Sequence, residues 1–254
     1  MQDRKALSLA LLLLLAALAP ASAETNTPPS TNKWQSSISL GLTITRGNSD
    51  TLLFSATGVS EKKWSNNDLA FGADALYGES KLAGSSSSTE TADRDHAFAQ
   101  YNRLFSERLY GFARADGLYD GIADIDYRAT LAPGAGYYFI KNKTMDFNTE
   151  VGPGYIFQKL NDNNAQDFAT LRLSEKFDYN IGPHSKAWET ADILPQVDDF
   201  NNYIVNAEVG IEAGLNKKNN LALRAVLDDN YNNVPAAAHL KNDVKLITSI
   251  VYKF

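Results

Sequence analysis

Apolar and polar side chains alternate along the last residues of the chain, "LITSIVYKF". Every second position is aliphatic, aromatic or β-branched: Val244, Leu246, Thr248, Ile250, Tyr252 and Phe254. A period of two indicates a β-strand, because successive side chains of a strand point to opposite faces. The same pattern, interrupted by turn-rich stretches, predicts twelve strands from Trp34 onward. The predicted strands are 34–46, 51–63, 68–80, 94–105, 108–120, 126–139, 143–158, 166–180, 185–196, 201–215, 219–230 and 243–254.

The spacing of these strands distinguishes between two kinds of β-protein. The chain offers roughly 18 residues per strand and connection, whereas soluble sandwiches place a turn every ~8–12 residues. A tilted strand needs about 9–11 residues to cross a bilayer, with further residues for the interfaces and turns. We therefore predict an all-β fold, a single antiparallel up-and-down transmembrane β-barrel of about twelve strands, which closes because a free strand edge in lipid would leave backbone groups unpaired.

One face of most predicted strands carries no charge over its centre and has aromatic residues near its ends. In the segment 126–139 this face reads Tyr127, Ala129, Leu131, Pro133, Ala135, Tyr137 and Phe139. Strands that alternate in direction would gather these aromatics into two girdles, one at each membrane interface. The predicted girdles include Trp34, Tyr77, Phe105, Tyr119, Tyr127, Tyr137, Tyr155, Tyr179 and Tyr203. A soluble core has no need of aromatics at strand ends.

Two parts of the pattern are irregular. The segment 185–196 has no clean apolar face in either parity. In "PGAGYYF" (133–139) and "GPGYIF" (152–157), Gly134, Gly136, Gly152 and Gly154 are expected to face inward. A proline in a strand removes a ladder hydrogen bond unless it sits at a bulge or an edge, so the alternation is least secure around Pro133 and Pro153.

The predicted connections alternate in character. "FSER", "IKNK" and "GPHS" are short and mostly basic, whereas the connections between them are mostly longer and more acidic. Short turns on the periplasmic side and longer loops outside are typical of outer-membrane barrels. The turn 47–50 is expected to be tight, and the loop 81–93, with four serines at 85–88, is expected to be the longest and most mobile.

The N-terminal segment predicts the compartment. A charged start with Arg4 and Lys5 is followed by an apolar run and by Ala21-Ser22-Ala23. This is the pattern of a cleaved secretory signal peptide, 1–23, and the run is too short for a spanning helix. A flexible arm, 24–33, would follow, and 34–254 would form the barrel in the outer membrane of a Gram-negative bacterium.

Composition excludes several classes. A formal net charge of −6 is unlike that of a nucleic-acid-binding domain. The absence of cysteine excludes disulfides, thiolate ligands and a thiol nucleophile. We predict no cofactor and no metal site, and the oligomeric state is not predicted.

The inward face of the predicted strands carries charges of both signs. The candidate lumen network consists of Asp74, Arg114, Asp116, Arg128, Glu150, Arg172, Glu208, Glu212, Arg224 and Lys245; Asp126 is expected to face inward as well. Opposite charges in a narrow lumen pair across it, because an unpaired buried charge is costly. Such a network could form a closed structural core or line a selective pore, and a closed core is favoured because no ring of one sign is present.

Signals of an enzyme are poor. The chain has neither a nucleophile-elbow motif nor a zinc-protease motif, and only three histidines: His96, His184 and His239. No serine is placed to use one of them as a base, so no catalytic residue is assigned. Glu208 and Glu212 could act as an acid–base pair, but an ion network is the better interpretation. Asp120, Asp124 and Asp126 lack a calcium-loop pattern and are read as a solvated acidic loop.

The opening stretch "WQSSISLGLTITRGNSDT" (34–51) resembles the first strand of the salt-induced outer membrane protein family, with Trp34, Thr45, Gly47, Asn48 and Ser49 at the matching positions. The segments 194–211 and 241–254 resemble its closing parts. The resemblance implies a bacterial outer-membrane barrel, linked to osmotic or salt response, with no established activity and no assigned catalytic residue. Tyr252 and Phe254 resemble the C-terminal signal read by the outer-membrane barrel assembly machinery.

The function expected from the sequence is therefore that of a non-enzymatic envelope barrel, either a narrow pore for ions and small solutes or a structural protein. Its expected partners are outer-membrane lipid, lipopolysaccharide and the assembly machinery, and nucleic acid is not among them. Two alternatives stay open at this point. One is an outer-membrane enzyme acting on lipids or envelope polymers through lumenal carboxylates, and the other is a soluble periplasmic β-sandwich that binds a ligand.

Overall fold

A computed structural model describes residues 32–47, 49–160 and 165–254. The predicted signal peptide, most of the predicted arm and Asn48 of the predicted tight turn lie outside the described residues. No helix in the part of the chain that the structure describes has the length and apolar character of a membrane span.

Twelve strands form in the order that the alternation predicts. They are β1 (Trp34–Thr45), β2 (Ser49–Trp64), β3 (Asn67–Leu82), β4 (Thr89–Leu104), β5 (Leu109–Asp120), β6 (Ile125–Lys141), β7 (Met145–Leu160), β8 (Gln166–Gly182), β9 (Ser185–Pro195), β10 (Tyr203–Gly214), β11 (Leu221–Asn232) and β12 (Asn242–Lys253). Each strand pairs antiparallel with its neighbours in sequence, and β12 pairs with β1.

The seam between β1 and β12 closes the sheet into a barrel. Ile38 stands opposite Tyr252, and Ser36 exchanges backbone hydrogen bonds of 2.9 and 3.1 Å with Phe254. Closure leaves no free edge, so every strand has two partners. The predicted barrel is confirmed, and the alternative of a two-sheet sandwich is wrong.

The outer surface of the barrel is apolar because one face of each strand turns away from the lumen. In β6, Leu131 is 51% exposed whereas its neighbour Ala132 is 1% exposed. Leu40, Leu42 and Ile44 of β1 are exposed in the same way. A surface of this kind would be costly in water over so many strands, and in a bilayer it lies against the hydrocarbon core. The barrel is therefore a membrane-spanning one.

Aromatic side chains occupy the outer surface near both ends. We call the end at which β1 begins and β12 finishes the lower end, and the opposite end the upper end. At the lower end, ring contacts link Phe139 to Phe147 at 5.7 Å and Phe147 to Phe177 at 6.4 Å. At the upper end, Tyr203 stacks on Tyr231 at 5.7 Å. The structure places Trp34, Tyr137 and Tyr179 on strands near the lower end, Phe105 in the connection just after β4 at the same end, and Tyr77, Tyr119, Tyr127, Tyr155 and Tyr203 near the upper end.

The irregular strand β9 has a mixed outer face. Trp188, Thr190 and Asp192 line the lumen, so the alternation directs Glu189 outward. Glu189 stands opposite Phe177 of β8. Glu175 lies two residues before Phe177 on β8, on the same outer face. Glu189 on the outer face, and the apolar Trp188 and Leu194 on the lumen face, explain why neither face of this segment is purely apolar.

The glycines of β6 and β7 allow a close backbone approach. A Cβ atom on Gly152 would lie 2.0 Å from the carbonyl oxygen of Pro133, and one on Gly134 would lie 2.4 Å from the carbonyl oxygen of Val151. The alternation runs through Pro133 and Pro153 without a register shift, and the shifts in this strand pair lie nearer the strand ends. The expectation that the alternation is weakest here is therefore wrong, because glycine rather than a bulge accommodates the prolines.

The connection between β3 and β4 is shorter than predicted. β3 extends to Leu82 and β4 begins at Thr89, so only 83–88 connect them. Among connections whose residues are all described, the longest is 233–241, between β11 and β12. The prediction of 81–93 as the longest loop is wrong, because polar residues at the ends of β3 and β4 continue the backbone ladder above the membrane.

Candidate functional site

A polar cavity of about 610 Å³ runs inside the barrel. It is lined near the lower end by Lys63 and Asp68, and nearer the upper end by Arg94, Asp228 and Asn230. Carboxylates outnumber lysine and arginine side chains along its lining. The inward positions of the strands create this lumen, a concave polar environment large enough to be a site.

One contact reaches across the lumen. Nη1 of Arg94 in β4 lies 3.5 Å from Oδ2 of Asp228 in β11, and also 3.5 Å from Oδ2 of Asp74 in β3. β4 and β11 are five strands apart by the shorter way around the barrel. The Arg94 side chain therefore spans the open width and narrows the cavity at this level.

A histidine continues the network from Asp74. Nδ1 of His96 lies 2.8 Å from Oδ1 of Asp74, and its Nε2 lies 3.5 Å from Oδ1 of Asp116. Asp116 in turn accepts hydrogen bonds from the guanidinium of Arg114, the shortest at 2.6 Å. An imidazole between two carboxylates is stabilised as a cation, so the charges alternate in sign along the wall.

Glu150 is the most connected carboxylate of the lumen. Its Oε1 accepts hydrogen bonds from Gln100 at 2.7 Å and from Tyr110 at 2.9 Å, and its Oε2 lies 2.6 Å from Nη1 of Arg172. Arg172 also pairs with Asp192 of β9 at 2.6 Å. Gln100 accepts a hydrogen bond from Arg114, so the network extends without a gap from Asp228 to Asp192.

A second cluster lies near the lower end, on β10, β11 and β12. Oε2 of Glu212 accepts hydrogen bonds from Arg224 at 2.7 and 3.0 Å, and its Oε1 lies 2.5 Å from Nζ of Lys253. Glu212 is only 2% exposed. Its two cations satisfy the charge that burial would otherwise penalise.

Two charged groups have neutral partners. Nε1 of Trp188 donates to Oε1 of Glu208 at 2.5 Å. Nε of Arg128 donates to Oε1 of Gln158 at 2.9 Å, while its Nη2 is buried without a hydrogen-bond partner among the described residues. Neither group forms an ion pair with another of the described residues, so both lie beside the ionic chain rather than within it.

The structure places the ten residues of the predicted lumen network on the inward face and brings most of them into contact. Asp74, Arg114, Asp116, Glu150 and Arg172 belong to the long chain of contacts; Glu212 and Arg224 belong to the lower cluster. Lys245 of β12 lies 3.7 Å from Asp120 of β5, a second contact across the lumen. Glu208 and Arg128 contact Trp188 and Gln158 instead.

Two expectations change. Asp126 does not point into the lumen, because a register shift between Ile125 and Tyr127 turns it to the rim, where it pairs with Lys159 at 2.6 Å. Asp120 lies 3.7 Å from Nζ of Lys245, and Asp124 lies 3.4 Å from Nε2 of His239, so this is not a freely solvated acidic loop. Among the described residues no cluster of three or more acidic or histidine side chains could hold a metal ion.

Glu208 and Glu212 do not form a carboxylate pair. They stand four residues apart on one strand, a separation of ~13 Å along the strand. Each contacts its own partners, Trp188 for the first and Arg224 with Lys253 for the second. Acid–base catalysis by a coupled pair therefore has no geometric support here.

Sequence reasoning missed several members of the network. Arg94, Gln100 and Asp192 have inward parity but were not singled out, and Tyr110 and Trp188 were not assigned to the lumen. Each of them could have been found from the alternation of its strand, which directs its side chain into the lumen. Their partners lie on strands distant in sequence, and only barrel closure brings those strands together.

The fold and the lumen define a membrane β-barrel with a narrowed, charged interior. The chain belongs to the family described as "Protein of unknown function, DUF481", whose model matches residues 38–254. This is consistent with the family resemblance of the sequence. No curated protein matches the chain.

Solved structures with a similar fold include outer-membrane channels. An outer membrane channel from Pseudomonas putida F1 is 12% identical, with a TM-score of 0.48 over 90% of this chain and 100% of that one. The NanC porin is 7% identical, with a TM-score of 0.49 over 86% and 98%. The translocator domain of the autotransporter NalP from Neisseria meningitidis is 12% identical, with a TM-score of 0.45 over 87% of each chain. At such low identity and TM-score, these likenesses carry no inference about this lumen.

Proposed function

We propose that the protein is a non-enzymatic outer-membrane barrel whose lumen is a narrow, cation-favouring pore for ions and small solutes. The observation that carries the proposal is the polar cavity of about 610 Å³ that extends along the barrel and has more carboxylates than lysine and arginine side chains on its wall. A wall with excess negative charge, surrounded by lipid, concentrates cations and repels anions.

The narrow passage follows from the contact of Arg94 with Asp228. A cationic side chain held across the lumen leaves room beside it only for small solutes, and fixed charges of both signs along the wall replace part of an ion's hydration. The long network keeps these charges in place, because each of its carboxylates contacts at least one other member of the network.

The outer-membrane location is part of the proposal. Single-chain barrels with an even number of strands, an apolar outer band and aromatic residues at both ends are typical of bacterial outer membranes. The lower end, where most turns are short, would face the periplasm, and the predicted signal peptide would direct export. Contact with outer-membrane lipid, lipopolysaccharide and the assembly machinery, and induction by salt, belong to the same proposal. Quantifying the protein in cells grown at low and high salt tests the last of these.

Planar-bilayer recording tests the pore directly. The chain from residue 24 onward is refolded into detergent and added to a bilayer with a salt gradient. We expect discrete conductance steps and a reversal potential that favours cations. A reversal potential that favours anions would contradict the role assigned to the carboxylates.

A second candidate function is structural. Two contacts across the lumen, Arg94 with Asp228 and Lys245 with Asp120, also brace the barrel wall. A barrel that folds fully, resists denaturation and shows no conductance over a range of salt would favour this function over the pore.

A further inference from the structure

We propose that the connection 233–241, here called the strap, is a lid that closes the upper mouth of the barrel and is released when its tip loses the contacts that hold it to the opposite wall. The proposal goes beyond a passive pore, and its consequence for transport rests on the proposed function. The strap links β11 to β12, yet Ala236 near its middle packs against strands on the far side of the barrel.

The path of the strap crosses the mouth. Ala236 is 5% exposed and packs with Ile125 of β6 and Leu160 of β7. β6 stands six strands from β12 in either direction around the barrel, which is the greatest separation that twelve strands allow. A connection of nine residues normally stays above its own two strands; this one places an alanine in an apolar cluster on the opposite wall.

Polar contacts hold the strap at both of its ends. Nδ2 of Asn233 donates to the carbonyl of Asn201 at 2.6 Å, and Lys241 donates to Oδ1 of Asn233 at 2.9 Å. The two ends of the strap are thereby tied together near β10. The strap is thus a closed loop with a fixed base and a tip that reaches over the lumen.

The tip is held by a side-chain contact to the turn between β5 and β6. Nε2 of His239 lies 3.4 Å from Oδ2 of Asp124 in that turn, and its Nδ1 lies 2.9 Å from the carbonyl oxygen of Ala237. Both ring nitrogens of His239 therefore face oxygen atoms. In addition, Lys245, near the upper end of β12, pairs with Asp120 of β5.

These contacts are of the kind that can open. The apolar cluster is small, with Ala236 contributing only a methyl group, and the contact of His239 with Asp124 is at the surface with both side chains about one-third exposed. Exposed side-chain contacts of this kind contribute little stability. The strap is therefore among the parts of the barrel most easily released, while the ladder beneath it stays intact.

Thiol labelling tests whether the strap is seated. The chain has no cysteine, so Ala236→Cys introduces a single reporter thiol, and Ser86→Cys in the exposed β3–β4 connection at the same end is the matched reference. With a membrane-impermeant maleimide on barrels in lipid vesicles, we expect Ala236→Cys to react at least ~10-fold more slowly, because a buried thiol reacts only when its cover opens. Equal rates would overturn the proposal.

We call the contact of His239 with Asp124, together with the packing of Ala236 on Leu160, the latch. Breaking the latch should expose the same thiol. In the Ala236→Cys background we expect Asp124→Asn, His239→Gln and Leu160→Ala each to speed labelling. Asp126→Asn breaks the neighbouring ion pair with Lys159, a pair that includes no residue of the strap, and should leave the rate unchanged. The proposal would be overturned if none of these three variants changed the labelling rate. It would also be overturned if Asp126→Asn changed the rate as much as they do. Each variant is first checked for a folded barrel by its heat-modified electrophoretic mobility.

Conductance then separates the lid from the pore. Asp124→Asn and His239→Gln should raise the open time or the conductance of single channels. If labelling behaves as expected and no variant conducts, the result supports the lid and contradicts the pore function. If the channels conduct and the latch variants neither label faster nor open more, the pore stands and the lid fails.

Discussion

Arg94 and Asp228 lie 3.5 Å apart although 134 residues separate them in sequence and their strands face each other across the lumen. This contact crosses the cavity in its upper part. Replacing Arg94 with glutamine should raise single-channel conductance and cation preference, because it shortens the obstructing side chain and removes a positive charge. Asp228→Asn should lower cation preference instead.

The matched control for this pair is Arg103→Gln. Arg103 also lies on β4 but donates to Asn67 near the lower end, outside the cavity. Its replacement should leave conductance and selectivity unchanged. Equal effects of Arg94→Gln and Arg103→Gln would show that the contact across the lumen does not control passage.

Glu150 should matter more for stability than any other single lumen carboxylate. Replacing it with alanine leaves the buried Arg172 with Asp192 alone and removes the acceptor of Tyr110 and Gln100. We expect a loss of about 3 kcal/mol in the free energy of unfolding, the usual result of breaking a buried ion pair. Tyr110→Phe, which removes a hydrogen bond and keeps the ring, should lose about 1.5 kcal/mol.

Urea unfolding in lipid vesicles, followed by tryptophan fluorescence, measures both variants. Glu107→Gln in an exposed turn serves as the reference. A Glu150→Ala barrel as stable as the reference would mean that the network contributes nothing to holding the wall.

Gly152 should not tolerate a side chain. A Cβ atom there would lie 2.0 Å from the carbonyl oxygen of Pro133 and 2.7 Å from Cα of Gly134, and backbone atoms cannot move aside. Gly152→Ala is expected to cost about 1–3 kcal/mol by overpacking. Gly58→Ala meets nothing within 4 Å and should be neutral or slightly stabilising. The same unfolding assay compares the two, and equal stabilities would contradict the close approach of β6 and β7.

The carboxylates of Glu175 and Glu189 on the outer face should cost stability in lipid. Near the membrane interface an outward charge is penalised by up to about 1 kcal/mol. Glu175→Gln and Glu189→Gln should therefore raise the free energy of unfolding in vesicles by a few tenths to about 1 kcal/mol. A loss of stability instead would indicate that these side chains bind a partner group.

Phe254 offers a test of the assembly signal apart from folding. Its side chain is 66% exposed and its ring contacts that of Tyr252 at 6.1 Å, while its backbone closes the seam with Ser36. Phe254→Ala should change the stability of the folded barrel little but reduce its insertion in cells. Phe105→Ala, an equally exposed phenylalanine at the lower end, is the matched control. Equal insertion of both variants would count against a signal at Phe254.

The strand order and the facing of most side chains were predictable, because the alternation that encodes them is local. It predicts that Leu131 faces outward and Arg128 inward, and the structure agrees. The place of Asp126 was not predictable, because a one-residue register shift reverses the parity at the start of β6. The contact of Arg94 with Asp228 and the path of the strap were also out of reach, since both depend on which strands face each other after closure.

The most direct test of the proposed function is a paired reversal-potential measurement on the wild-type chain and Asp228→Asn in planar bilayers under a salt gradient. A cation-favouring pore lined by excess carboxylates predicts discrete steps, a cation-favouring potential for the wild type and a smaller one for Asp228→Asn. Wild-type barrels that are folded yet silent, or potentials that favour anions, would contradict it.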